Sequence, residues 1–275
     1  MAVNLATKYE KQLSQPYTLE SVIAGRTSDR FKWEGVKTIA LLTIVTQELN
    51  DYTRTGDNRF GTPTEIQDTK QELTLTADKG FSITVDRGNY EDQMMAKESG
   101  KVAKAQISEK CVPFWDKHAL STWATKTENK KEHATVDQDT VYDCFVEART
   151  AFTNANIKVN VNTCTCYIGS SSYAKLLKNP AFIGADNLNK ALLTAGTVGS
   201  CAGFLVKEVP DSYLPESTLM LFTEKEAVLA PRKIHSLYIR DNVQGIDGVV
   251  IEGRDYGDAF IVEAKKGGVF KITTA

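Results

Sequence analysis

The residues of this 275-residue sequence that could do chemistry are five cysteines, three histidines and a few glycine-marked turns. Cys164-Thr165-Cys166 is the only close cysteine pair. A structural zinc site needs four ligands, usually in two close pairs, and His118, His133 and His235 supply no second pair. In a strand, residues i and i+2 share a face, so the pair reads as two small core residues. Gly56 and Gly61 have the spacing of a phosphate-binding loop, but Thr62 stands where the loop needs lysine, so nothing there holds a phosphate. Gly196, Gly199 and Gly203 do not match the dinucleotide fingerprint and read as a flexible turn. Gly169-Ser170-Ser171-Ser172 lacks the second glycine of a nucleophile elbow, and Ser170 or Ser171 reads instead as a helix N-cap. The acid pairs Glu91-Asp92 and Glu224-x-Glu226 lie in strongly polar surroundings and read as solvated faces. No catalytic set, cofactor site or metal site is predicted.

Composition narrows the class further. The chain is 41% hydrophobic and 25% charged, as in ordinary globular proteins. Its formal net charge of −2, from 33 basic and 35 acidic residues, is too balanced for a protein whose task is gripping nucleic acid. DNA, if present, would be enclosed rather than bound tightly. Residues 1–19 contain no apolar signal-peptide core, and no stretch approaches the roughly 18 apolar residues of a membrane span. The odd, scattered cysteines (Cys111, Cys144, Cys164, Cys166 and Cys201) fit unpaired thiols in a reducing cytoplasm.

The elements that would position these residues form a mixed α+β chain. Residues 1–30 hold few large apolar side chains, with short helical stretches at 10–13 and 19–24, and cannot build a core alone. Residues 31–45 are β-rich and read as mostly buried. Residues 50–64 are full of turn formers and read as an exposed loop. Between residues 72 and 86, Leu73, Leu75 and Ala77 alternate with polar residues, as do Phe81, Ile83 and Val85 after Asp78-Lys79-Gly80. That pattern predicts a β-hairpin. An isolated hairpin is marginal in water, so its single apolar face needs a partner. A long helix is expected from Asp86 to about Lys126, with a kink or break at Pro113, whose ring removes a backbone donor. About 35 helical residues would span roughly 50 Å, more than a compact domain of this size hides. Further helices are expected at 137–156, 171–177 and 188–193, and strands at 165–169, 204–209, 218–223, 227–230 and through 234–272.

The order of these parts resembles the major capsid proteins of tailed bacteriophages of the Hong Kong 97-like fold. Gly35-Val36-Lys37-Thr38-Ile39 is similar to the family's strand leading out of the arm. Leu73 through Arg87 looks like its extended-loop hairpin running into the spine helix. Lys110-Cys111-Val112-Pro113-Phe114-Trp115-Asp116 resembles the later spine, and Cys166 through Leu177 the strand–turn–helix of the axial domain.

The resemblance implies an N-terminal arm at 1–30, a strand out of it at 31–49 and an extended loop at 50–86. It implies a peripheral domain with the spine helix at 87–133, an axial domain at 134–245, and C-terminal strands of the peripheral domain at 246–275. It further implies a subunit that self-assembles through hexamers and pentamers into an icosahedral virion shell around double-stranded DNA. Assembly in the bacterial host cytoplasm, with a separate scaffolding protein and a portal protein as partners, follows from the same likeness, as does a protein that is not an enzyme. Leu73, Leu75, Phe81, Ile83 and Val85 are the expected intersubunit contacts, and Phe81→Asp is expected to leave a folded monomer that fails to assemble. An encapsulin-like nanocompartment shell is the alternative within the fold; an enzyme with an unrecognised site is the alternative outside it.

Overall fold

The computed structural model describes residues 21–30, 37–44, 46, 48–63, 65–66, 68–88, 99–179, 199–241 and 243–274. The expected helices at 10–13 and 188–193 and the start of the spine helix at 89–98 lie outside the described residues.

The body is organised by a six-stranded sheet, in the order β4 (Lys130–His133), β13 (Val269–Thr274), β8 (Thr218–Glu224), β5 (Cys164–Gly169), β7 (Phe204–Val209), β6 (Ser200–Cys201). β5 lies in its middle and is buried along its whole length, because helices cover both faces. On one face, α3 (Val141–Asn154) sets Val141, Cys144, Phe145, Ala148 and Phe152 against Cys164, Cys166, Ile168, Phe204, Met220 and Phe222. On the other, α2 (Val112–Lys126) sets Ala119, Leu120, Trp123 and Ala124 against Tyr167, Val209, Leu221 and Val269. Both helices carry their apolar side chains at steps of three and four, which is why each has a face to bury.

The spine runs from α1 (Ser99–Gln106) through a π turn (Ile107–Cys111) into α2, roughly 40 Å at 1.5 Å per residue. The expected kink or break at Pro113 is replaced by this π turn. Val112 N–H donates to the Ile107 carbonyl five residues back, and Cys111 and Val112 both keep right-handed helical dihedrals. Widening the helix by one residue just ahead of Pro113 absorbs its missing donor without ending the helix. α4 (Ser170–Leu176) starts where expected, but its first turn is held from outside. Asp211 accepts bonds from Ser171 N–H and Ser171 Oγ, while Ser170 Oγ donates to the Val209 carbonyl. Neither serine caps the helix.

Beyond the main sheet, the expected hairpin is not formed. β2 (Asp68–Thr74) pairs antiparallel with β1 (Thr38–Ile44), and β3 (Ala77–Asp86) pairs with β11 (Gly248–Gly257). β11 pairs in turn with β10 (Arg232–Asp241), giving a three-stranded sheet β10-β11-β3. Asp78, Lys79 and Gly80, read as the turn, lie inside β3 opposite Tyr256, Asp255 and Arg254. Arg254 clasps Asp78 with two hydrogen bonds, of 3.0 and 2.6 Å, and keeps that stretch extended. The chain breaks direction instead at Leu75-Thr76, between two sheets. The domain boundary expected at 245 falls inside the β10–β11 hairpin. β9 (Val228–Leu229) and β12 (Phe260–Ile261) complete the strands as a short antiparallel pair.

Residues 21–30 form turns laid on the body. Ser21 Oγ and Val22 N–H donate to Asp116 in α2, Arg26 donates to the Val161 and Asn162 carbonyls, and Arg30 pairs with Glu226 at 2.8 Å. Burial pushes the Asp116 carboxyl up from its ordinary range, against the Ser21 and Val22 donations.

The five cysteines are unpaired, and four of them are buried. Cys164 and Cys166 sit in the core, as their spacing suggested. Burial pushes the Cys144 and Cys201 thiols up to about 12 and Cys166 well above its ordinary value. A buried thiol that stays protonated is a poor nucleophile. The native protein should therefore give one titratable thiol, the half-buried Cys111, and all five in denaturant. Two or more fast-reacting thiols in an aromatic-disulfide assay would mean that the sheet core opens.

Candidate intersubunit surface

The β1–β2 pair carries a long connection, residues 45–67, and together they form an arm whose two ends differ. At its root, Leu41, Leu73 and Leu75 are buried against Leu229, Phe260 and Val262. Further out, the apolar side chains lose most of their cover: Leu42 is 70% exposed, Ile44 64%, Leu49 100%, Phe60 83% and Ile66 69%. The reading of residues 31–45 as mostly buried therefore fails along β1, where Leu41 alone is buried. Alternation on a two-stranded ribbon gives one inward face only where there is something to face inward against.

The tip is held in shape by local contacts of its own. Thr53 N–H donates to the Arg59 carbonyl and Gly61 N–H to the Asn58 carbonyl. Asn58 and Gly61 take left-handed conformations, φ 56° and 90°, the latter one that glycine adopts without strain. Tyr52 and Phe60 meet edge to face with centroids 5.0 Å apart. Between residues 48 and 66 the tip carries Glu48, Asp51, Asp57 and Glu65 against Arg54 and Arg59. A second open surface lies on β10, an outer strand of its sheet, where Leu237, Tyr238 and Ile239 are all exposed. Adjacent residues exposed on both faces of an edge strand leave that strand open on three sides.

The five expected contact residues divide. Leu73 and Leu75 are buried by their own chain, against Leu229, Phe260 and Val262. Phe81, Ile83 and Val85 sit on β3, opposite Gly253, Ile251 and Val249, and are half-buried in cis. Phe81 lies so close over Gly253 that a Cβ there would come within 2.2 Å of its ring. Phe81→Asp would thus damage the subunit's own sheet, and the substitution that tests assembly moves to the arm's tip. Sequence reasoning did not single out the arm's exposed residues: Leu49, Phe60 and Ile66 carry one available signal, large apolar side chains among turn formers, whereas Leu42 and Ile44 lie in a β-rich run and carry none.

Gly56 and Gly61 lie in the arm's exposed tip, and Glu91-Asp92 falls outside the described residues. The three histidines each pair with a separate carboxylate: His118 with Asp258, His133 with Glu147, and His235 with Asp255. Among the described residues, no group of three or more His, Cys, Asp or Glu side chains could hold a metal ion. No helix among them is long and apolar enough to cross a membrane.

The chain has the fold of subunits from bacteriophage capsid and head structures. It superposes on a chain from the capsid structure of cyanophage P-SCSP1u with a TM-score of 0.76 and 11% identity, over 99% of this chain and 93% of that one. On a chain from Mycobacterium phage Che8 the TM-score is 0.73 with 18% identity, over 98% of both. On one from the head structure of Helicobacter pylori bacteriophage KHP40 it is 0.66 with 12% identity, over 98% of this chain and 96% of that one. No protein-family model matches the sequence, and no curated protein matches it.

Proposed function

We propose that this chain is the major capsid protein of a tailed bacteriophage, of the Hong Kong 97-like type. It builds an icosahedral shell through hexamers and pentamers and encloses double-stranded DNA without reading its sequence. A scaffolding protein and a portal protein are its partners during assembly in the host cytoplasm. The observation that carries this reading is the arm: a root buried in its own subunit and a shaped, greasy tip whose large apolar side chains are mostly exposed. A near-complete fold likeness to phage capsid chains supports it. In this reading Phe81, Ile83 and Val85 help build the body, and the tip makes the contact the shell needs.

The mechanism is cooperative burial. Fully covering a large apolar side chain is worth roughly 1.5–3 kcal/mol, so a covered tip gains several such amounts before association costs are taken off. One such bond can be weak, but every subunit gives an arm and receives one, and multivalency makes the closed shell persist. The purified protein, expressed with and without a scaffolding protein, should sediment as large particles, and electron microscopy should show closed shells containing DNA in the infected cell. A small, discrete oligomer under all conditions would overturn the proposal. Shells packed with a protein cargo and free of nucleic acid would replace it with a nanocompartment.

A further inference from the structure

The arm leaves the body through Leu75-Thr76, where the chain passes from β2 to β3, and one carboxylate holds that joint. Asp258 Oδ2 accepts from Thr76 N–H at 3.0 Å and from Thr76 Oγ1 at 2.6 Å. Its Oδ1 accepts from Ala259 N–H at 2.8 Å and meets His118 Nε2 at 2.9 Å. A carboxylate only accepts, so the proton of that last bond is on His118. Asp258 is buried, and both of its oxygens are engaged. Burial opposes its charge, yet the donations from Thr76, His118 and Ala259 outweigh that and hold its carboxyl below the ordinary range. Its own N–H donates to the Pro231 carbonyl.

Three parts of the fold meet at this side chain: the joint of the arm, the spine helix through His118, and the turn between β11 and β12. The second attachment lies further along β2. Gln71 Nε2 donates to the Ile261 carbonyl, and Gln71 Oε1 accepts from Glu263 N–H, both at 2.9 Å. Leu73, between Gln71 and Thr76 in sequence, is buried in the cluster with Leu229, Phe260 and Val262, and Tyr256 OH donates to the Leu75 carbonyl at 3.0 Å. Every one of these contacts lies at the root, and none reaches the tip.

We infer that the arm is a cantilever whose direction is set in cis by Asp258, acting as a positioning residue through Thr76 and His118. The neighbour does not have to order the root; it receives a tip already aimed. Charge-assisted hydrogen bonds suit this role, because they are directional as well as strong, whereas the leucine contacts fix depth but not angle. The importance of the angle for assembly rests on the shell reading, but the bracket itself is a property of the lone subunit and is tested there.

Nitroxide labels at Thr62→Cys on the tip and Asp143→Cys on α3, in a Cys111→Ser background, report the tip-to-body distance in the unassembled subunit. The unaltered root should give one narrow distance distribution. Asp258→Ala should broaden it about twofold, and Thr76→Ala, which loses only the hydroxyl bond, by less. Val206→Ala, a core change far from the root, should lower the melting temperature without broadening the distribution. This control separates positioning from general loosening. A folded Asp258→Ala subunit with an unchanged width would overturn the inference; if that variant does not fold, an unchanged width in Thr76→Ala would do so. Failure of the subunit to form shells leaves this measurement untouched and bears on the proposed function alone.

Discussion

Replacing Phe60 by aspartate should abolish shell formation while leaving the subunit's stability where it was. Phe60 is 83% exposed, and its edge-to-face contact with Tyr52 is the only ring contact it makes among the described residues. A surface substitution of that kind changes folding stability by roughly 0.5 kcal/mol or less, which for a chain of this size is about 1–2 °C in melting temperature. At a subunit contact the same change removes an aromatic anchor and puts a charge where water is to be excluded. Losing about 2.8 kcal/mol per contact weakens each contact roughly a hundredfold. Every arm in the shell carries the defect, so the concentration needed for assembly should rise beyond any practical value. Leu49→Asp, at a fully exposed position, should behave in the same way. Sedimentation velocity and a thermal melt on the same sample read both halves of the prediction. Normal particles from either variant would mean that the tip faces solvent in the assembled state.

This prediction differs from the one the sequence invites, and the difference is instructive. Leu73, Leu75, Ala77, Phe81, Ile83 and Val85 are all odd-numbered. Period-two patterning that keeps its parity across Asp78-Lys79-Gly80 is what one continuous extended run produces. Glycine in a polar triplet mimics a turn, but Gly80 lies inside β3 beside the Gly253 carbonyl, 3.3 Å from where a Cβ would sit, and stays in the strand. The break that matters, at Leu75-Thr76, leaves no mark in the pattern because it comes from a change of sheet. Its fastening is equally silent: Thr76 and Asp258 are separated by 182 residues, and neither is unusual for its place in the chain.

Other features were legible because their causes are local. Cys164 and Cys166 sit two apart in a run with no charge, a pattern that fits an interior strand, and β5 is one. Val141, Cys144, Phe145, Ala148 and Phe152 follow the helical period and form one buried face. Pro113 marked a perturbation of the spine correctly in place, but not in kind, since a π turn and a kink remove the same hydrogen bond. The exposed arm was legible as a turn-rich loop at 50–64. Its greasy tip was not, because a leucine or phenylalanine in isolation does not announce whether its partner belongs to its own chain.

The largest effect on the subunit itself should come from Phe222→Ala. Phe222 lies on β8 at the centre of the six-stranded sheet and has no exposed surface. Its ring meets Phe145 of α3, Phe204 of β7 and Phe270 of β13, with centroids 5.3, 5.0 and 6.3 Å away. It therefore ties a helix and two further strands together at one point. Removing a buried aromatic ring costs about 3–5 kcal/mol, because close-packed neighbours do not collapse fully into the space. Against a total stability of about 5–15 kcal/mol, that loss is enough to depopulate the folded state near physiological temperature. The melting temperature should fall by roughly 10 °C, and particle yield should fall because folded subunits are scarce. Phe60→Asp and Phe222→Ala thus lose shells for opposite reasons. The first leaves folded subunits with nothing to bind through, and the second leaves an intact contact on subunits that do not stay folded. Lowering the temperature should restore particles in the second case and not in the first. Recovery of Phe60→Asp particles in the cold would mean that the tip contributes to folding, and the division between a body that folds and an arm that assembles would fail.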